Sequence, residues 1–218
     1  MPADDTAWTR EALRLYHRYQ MEVVEACGLC PWAEHARVDG RVIVRVLLDS
    51  DPIPSAIAAI AELALQSNIE IGLLIFPKLA VTRNEFEKWV AKLQAADKAR
   101  HPLGEIPFMF AAFHPDADAD TSSPERLIPF LRRTPDPTIQ LVRATAIDKA
   151  RHHVKQGTQF FDPALLDMPP VHEATPPLRE KIAITNLATV KTMGVDAMRE
   201  RLDDIARDRR AAYEALGR

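Results

Sequence analysis

The sequence predicts an α/β protein: a small, mostly parallel sheet with crossover helices, preceded by an amphipathic helix and followed by a helical tail. Three observations carry that expectation. Strand-length apolar runs recur at "RVIVRVLL" (41–48), "IEIGLLIFPK" (69–78) and "PFMFAAFHP" (107–115). Between them lie segments with helical spacing of apolar residues and recognisable helix starts. Strand, helix, strand, helix, strand is the pattern of parallel pairing through right-handed crossovers.

The elements follow in order. Residues 7–27 read as one amphipathic helix, because Ala12, Tyr16, Tyr19, Val23 and Cys27 recur at three- and four-residue steps. Pro31 stops it. The run 41–48 is β-branched and reads as a strand. Ser50 or Asp51 then caps a helix opened by Pro52 and running to about Ser67, which is expected to bury Ile53, Ile57, Ile60 and Ala64. The second strand, 69–78, is apolar almost throughout, as in a strand covered on both faces. Thr82-x-x-Glu85 is a capping box, and Phe86, Trp89, Val90 and Leu93 form the stripe behind it. The third strand is 107–115. Ser122-x-x-Glu125 with Pro124 opens a short helix through Arg132. "TIQLVRAT" (138–145) is the fourth strand, and "AIDKARHHV" is helical.

Residues 41–150 thus form the α/β unit with helix 7–27 packed on it, and 1–155 is taken as one domain. Residues 156–180 are rich in proline. Helices at 178–192 and 195–216, broken at Gly194, complete a tail spanning 156–218. Met198, Leu202, Ile205, Ala212 and Leu216 make its apolar seam, with an Asp203–Arg207 pair on the wet side. The seam is expected to pack on its own protomer, with a homodimer through it as the alternative.

Composition removes several classes. The chain has 218 residues, a net charge of −3 and only seven glycines. That charge argues against sequence-independent nucleic-acid binding. Neither common glycine-rich phosphate loop is present, so no nucleotide is expected. No leader or membrane span is read from the sequence, so the expected location is cytoplasmic, with no membrane partner.

Ligands of parallel α/β sheets gather at the carboxyl ends of the strands. Here those ends carry Asp49, Lys78, and His114 with Asp116; a parallel fourth strand would add Arg143 and Thr145. His114 suits a general base or a metal ligand. Its structural alternative is a strand-end imidazole bonding a backbone carbonyl. Asp116 would orient that ring, or begin an Asx-turn. Arg132 or Arg133 would clamp an anion bidentately, near Arg126 and a helix amino terminus at Ser123-Pro124.

Both cysteines lie in "ACGLCPWAEH" (26–35). A thioredoxin-type CxxC opens a helix, whereas here a helix runs into the motif and places Cys27 on its buried stripe. Cys27 therefore reads as a core residue and Cys30 as the free thiol. Trp32 either walls a pocket or fills the core. A zinc site would draw on Cys27, Cys30, His35 and His114, though "RHHV" (151–154) lacks the spacing of a second ligand pair.

The motifs "LCPWA" (29–33), "FHPD" (113–116) and "SP…IPFLRR" (123–133) resemble, in that order, the bacterial domain of unknown function 1415 family, whose members typically show LCPFA, FHPDY and SPYP…LLRE. The resemblance covers roughly residues 10–155. It implies a cysteine at Cys30, a histidine at His114, an aspartate at Asp116 and an arginine at Arg132, and usually no cysteine at the position of Cys27. It implies no activity. "DADADTSSPER" departs from the family's aromatic-rich loop.

Three functions are therefore in view. The first is an enzyme acting on a small anionic or polar molecule, with Cys30 as nucleophile, His114 as base, Asp116 as its orienter, and Arg132, Lys78 and Trp32 around the substrate. The second is a mononuclear zinc or iron enzyme using Cys30 and His114, with His35 or Asp116 as a further ligand. The third is a non-catalytic module docking through its C-terminal helices.

Overall fold

A computed structural model describes residues 3–30, 32–101, 106–147 and 178–217. The first helix, α1 (Ala3–Tyr19), does not run unbroken to residue 27. It passes into a π-helical turn at Gln20–Glu25. The Ala26 amide donates to Met21 O and the Leu29 amide to Val24 O, both i→i+5 bonds. That wider turn keeps the successive four-residue steps Tyr19, Val23 and Cys27 on one face, and all three are buried. A short helix α2 (Ala33–Val38) leads to strand β1 (Val42–Val46).

Helix α3 (Pro52–Ala64) is capped by Asp51, whose carboxylate accepts the Ile53 amide, with Pro52 in the first turn. Its buried stripe is Ala56, Ala59, Ile60 and Leu63; Ile53 is exposed, and Ile57 and Ala64 are only partly covered. The buried face is rotated by about one position from the expected one, so that Ala56, Ala59 and Leu63 join Ile60 in the core. Strand β2 (Ile71–Ile75) is buried throughout. Helix α4 (Arg83–Ala99) begins with the expected capping box: the Thr82 amide donates to Glu85 Oε2 at 2.8 Å, and the Glu85 amide to Thr82 Oγ1 at 3.3 Å. Strand β3 (Phe108–Phe113) follows. Helix α5 (Pro124–Leu131) is capped by Ser123 rather than Ser122, whose hydroxyl instead turns to Asp120. Strand β4 (Thr138–Arg143) completes the sheet.

The sheet is mixed, which corrects the expectation of a mostly parallel one. Its order is β1-β2-β4-β3. Strands β1 and β2 are parallel, while β4 runs antiparallel to both β2 and β3, with Thr138 opposite Phe113 and Ile75. The physical reason lies in α5. This eight-residue helix does not cross the sheet face. The chain turns back at the rim it left, and β4 descends into the gap between its neighbours. Arg143 and Thr145 therefore lie at the opposite end of the sheet. Arg143 donates to the carbonyls of Leu63, Gln66 and Ile69, which ties down the end of α3.

Two apolar layers sandwich the sheet. One packs α3 and α4 against Leu74, Phe108, Ile139 and Leu141. The other packs α1, the π turn and α5 against Ile71, Leu73 and Ile75. It also takes in residues of α6 (Leu178–Met193) and α7 (Val195–Glu214). Gly194, at φ +95°, separates these last two helices. The seam residues Met198, Leu202 and Ile205 are buried in this layer, so the seam is used within the protomer and is not a free dimer face. Asp203 pairs with Arg133, and Arg207 with Asp204, in place of the expected Asp203–Arg207 pair. Residues 148–177, with most of the proline-rich stretch and the His152-His153 pair, lie outside the described residues, as does Pro31.

Candidate functional site: the carboxyl rim and its cleft

Strands β1, β2 and β3 all point their carboxyl ends at one rim. His114 sits where β3 leaves the core and is 4% exposed. Its two ring nitrogens are both engaged. Nδ1 accepts the Asp116 backbone N–H at 3.1 Å, so it carries no proton. Nε2 is 3.1 Å from Val81 O and, in that tautomer, donates to it. Burial pushes the imidazole pKa below its ordinary value. A neutral ring with both nitrogens occupied clasps the β3 end to the turn before α4. It presents no free lone pair to a substrate or a metal in this arrangement. Asp116 does orient the ring, but through its main chain; its carboxylate is 79% exposed and lies 3.8 Å from Nδ1.

The expected cations are placed differently from one another. Lys78 pairs with Asp5 at 3.1 Å and lies over the Trp8 ring, so it serves the α1 junction. Arg133 donates to Pro115 O and to Asp203. Arg132 stacks on Phe113, with 5.1 Å between guanidinium carbon and ring centre. It lines a small cavity of about 50 Å³ with His114, Arg83 and Glu87. Arg126 turns to Asp120.

Cys30 lies elsewhere. Burial raises its thiol pKa, with a partial lowering from the Trp32 and Ala33 backbone N–H groups; the Ala33 amide donates to the Cys30 carbonyl at 3.3 Å. Burial raises the Tyr16 and Tyr19 phenol pKa values, and Arg132 partly offsets the rise at Tyr19. Tyr19 Oη donates to Leu131 O at 2.6 Å. The groups acting on His114 are Val81, Asp116, Arg83 and Glu87, and Cys30 is not among them. Trp32 is 38% exposed beside the thiol, not a core residue. His35 is exposed on α2. Cys27 is buried, its sulfur 3.9 Å from Met193 Sδ and 3.8 Å from Arg201 Nη1, and burial raises its pKa. Among the described residues no three His, Cys, Asp or Glu side chains are grouped to hold a metal ion, so the set of Cys27, Cys30, His35 and His114 is not assembled.

A larger feature was not anticipated from the sequence. Between the rim and α7 lies a cleft of about 340 Å³, with His114, Pro115, Asp116 and Pro137 on one side. The other wall is one stripe of α7: Leu202, Ile205, Ala206, Arg209 and Arg210. Behind it stands Asp136, 1% exposed, taking Arg209 Nε and Tyr213 Oη at 2.7 Å each. Thr134 and Thr138 hydroxyls both donate to the Asp136 carbonyl. The only hint in the sequence is "TPDPT" (134–138), where an aspartate between two prolines reads as a turn. Its burial depends on α7, which returns to it from more than 70 residues away in the chain. Arg210 differs from its neighbours. It lines the cleft, and no ion pair or hydrogen bond engages it among the described residues.

A mixed sheet between two helical layers, with a cleft at its carboxyl rim, defines an α/β protein. The chain belongs to the family described as "Protein of unknown function (DUF1415)", whose model matches residues 13–163. No curated protein and no solved structure matches it. Among the described residues no helix is long and apolar enough to cross a membrane.

Proposed function

We propose that this protein binds a small molecule bearing an anionic group in the rim cleft, with Arg210 as the contact to that group. The carrying observation is the uneven state of the cleft's arginines. Arg133 and Arg209 each hold a carboxylate, at 2.9 and 2.7 Å, whereas Arg210 holds none among the described residues. A guanidinium lining a concave site is a ready partner for a carboxylate or phosphate oxygen pair. The cleft's size falls in the ordinary range for small-molecule sites. Thermal melts against a panel of small carboxylates, phosphates and sulfates test this. At least one should raise the melting temperature of the wild-type chain and leave Arg210→Gln unmoved. A panel in which every compound treats the two proteins alike would sink the reading.

A second reading, an enzyme using Cys30 as nucleophile with Arg132 holding the substrate's anion, draws on the lowering effect of the Trp32 and Ala33 backbone N–H groups on the thiol pKa. Such donors favour thiolate once substrate displaces the covering groups. At rest the thiol is protonated at neutral pH. Iodoacetamide should therefore label Cys30 slowly at pH 7 and faster as pH rises, while Cys27 stays unlabelled in the folded chain. Fast labelling of Cys30 below pH 7 would contradict the protected resting state. A Cys30→Ser chain with undiminished turnover of any identified substrate would dispose of the nucleophile.

A further inference from the structure

We infer that the molecule held in the rim cleft is a small zwitterion with a polar body: an anionic group for Arg210 at one end and an ammonium group for Asp116 at the other. This rests on the anion-site reading above and deepens it with a second charge and a ligand class.

Two opposite charges share the cleft without meeting. Asp116 follows β3 and lines one wall, while Arg210 lies on α7, in the other wall. The Asp116 carboxylate is 79% exposed, and its neighbour at 3.8 Å, His114 Nδ1, is the unprotonated nitrogen of a neutral ring. Arg210 holds no carboxylate among the described residues, and so it does not hold Asp116. A molecule seated between the two walls can complete both groups only if it carries both complementary charges.

An adjoining cavity fixes the sign on the Asp116 side independently. It measures about 450 Å³, and Pro115, Asp116 and Arg133 line it as well as the cleft. Its arginines are all matched. Arg83 holds Glu87 at 2.7 Å, Arg133 holds Asp203 at 2.9 Å, and Arg199 holds Asp196. Two of its carboxylates are not: Asp116 and Asp118 have no cationic partner among the described residues. The Asp116 end of the joined groove therefore carries uncompensated negative charge, and the α7 end the positive charge of Arg210. A plain anion is attracted at one end and repelled at the other, whereas a zwitterion gains at both.

The surface between the charges sets the body of the ligand. Both cavities present more polar than apolar surface. Leu202 and Ile205 of α7 are buried in the core layer and offer no face to a hydrocarbon chain. The body is therefore short and polar, as in an amino acid or a small peptide, which differ in how far apart their charges stand.

Titration calorimetry on the full chain at pH 7 tests the assignment with glycine, diglycine and triglycine, zwitterions of growing charge separation. Each is paired with its N-acetyl form, which keeps only the anion, and its amide, which keeps only the cation. At least one zwitterion should bind with one site per chain, about tenfold or more tightly than either of its capped forms. Arg210→Gln should weaken that zwitterion about tenfold and leave the amide form unmoved. Asp116→Asn combined with Asp118→Asn should weaken it about as much and erase its advantage over the acetylated form. Asparagine at 116 retains the main-chain N–H that His114 accepts, and circular dichroism with urea midpoints checks that both variants stay folded. Acetylated and zwitterionic forms that bind equally, both weakened by Arg210→Gln, would overturn the zwitterion and leave the anion site standing. Zwitterion binding that neither variant weakens, or binding by the amide forms alone, would overturn both readings. Absence of binding by all the peptides would overturn the inference, and the melts against carboxylates, phosphates and sulfates then decide the anion site by themselves.

Discussion

At position 114 the imidazole is used twice before any ligand arrives. Its neutral form accepts one main-chain N–H and donates to one main-chain carbonyl. His114→Ala should therefore cost about 2–4 kcal/mol, from two orphaned backbone groups and a cavity. His114→Gln, which keeps a donor near Val81, should recover part of that in urea denaturation. The pH dependence has a definite sign. The folded pKa is lowered, and the unfolded side chain titrates near ~6.5. Below that value the unfolded chain takes up the proton first, so stability falls as pH drops from there to the folded pKa. Urea midpoints measured from pH 8 to pH 5 should fall more steeply for the wild type than for His114→Gln. Equal slopes would mean that His114 is not held neutral. The sequence placed His114 at the right strand end, because strand ends are readable from where an apolar run meets proline. Its structural alternative, a strand-end imidazole bonding a backbone carbonyl, is the arrangement found; which carbonyl was not readable, since Val81 comes from another element and the Asp116 contact is made by the backbone. Cys27 was legible as core for the opposite reason: helical periodicity alone fixes which face it occupies.

Among the elements, α1 and α7 are the pair that sequence reading could not join. Arg14 and Arg18 on α1 both bind Asp208 of α7 at 2.7 Å, and Arg18 reaches Asp204 as well. Trp8 and Tyr213 stack with ring centres 4.5 Å apart. The two arginines hold the Asp208 carboxyl down at about 2. Because the folded pKa lies below the unfolded value, the contribution is whole above about pH 4 and is lost as pH falls toward 2. Asp208→Asn should cost about 1 kcal/mol at neutral pH, a modest figure because the pair is partly solvated, and should flatten the acid limb of a stability profile. An unchanged acid limb would show that the bridge does not form in solution. Capping was the most legible feature of the elements. Asp51 and Thr82 act as their local sequence implies, since a cap needs only three or four neighbouring residues. The shift from Ser122 to Ser123 at α5 marks the limit of that logic, because adjacent serines compete and the Asp120 contact decides between them.

For the whole molecule, the tail is part of the core. Val190, Met198, Leu202 and Ile205 share one apolar layer with Tyr19, Leu73 and Phe130. Each such side chain contributes about 1.5–3 kcal/mol on burial, so together they approach the total stability of an ordinary domain. A chain ending at residue 177 should lose its cooperative thermal transition and expose apolar surface to a reporter dye. Cooperative melting at the wild-type temperature would show instead that the tail is an independent unit. Strand positions were legible because apolar runs are local. Strand direction was not: nothing in "TIQLVRAT" says which way it runs, and only the short reach of α5 settles it.

The placement of β4 also sets an order of events. β1 and β2 pair directly, but β3 touches the sheet only through β4, the last strand among the described residues. A chain emerging from synthesis can zip its first two strands around α3, then must leave β3 waiting for a segment some 25 residues later. Until residue 143 is available, β2 and β3 each present an unpaired edge of apolar strand. The costly closure is thus deferred to the end, and the nascent protein is most exposed to wrong pairing just before its sheet is complete.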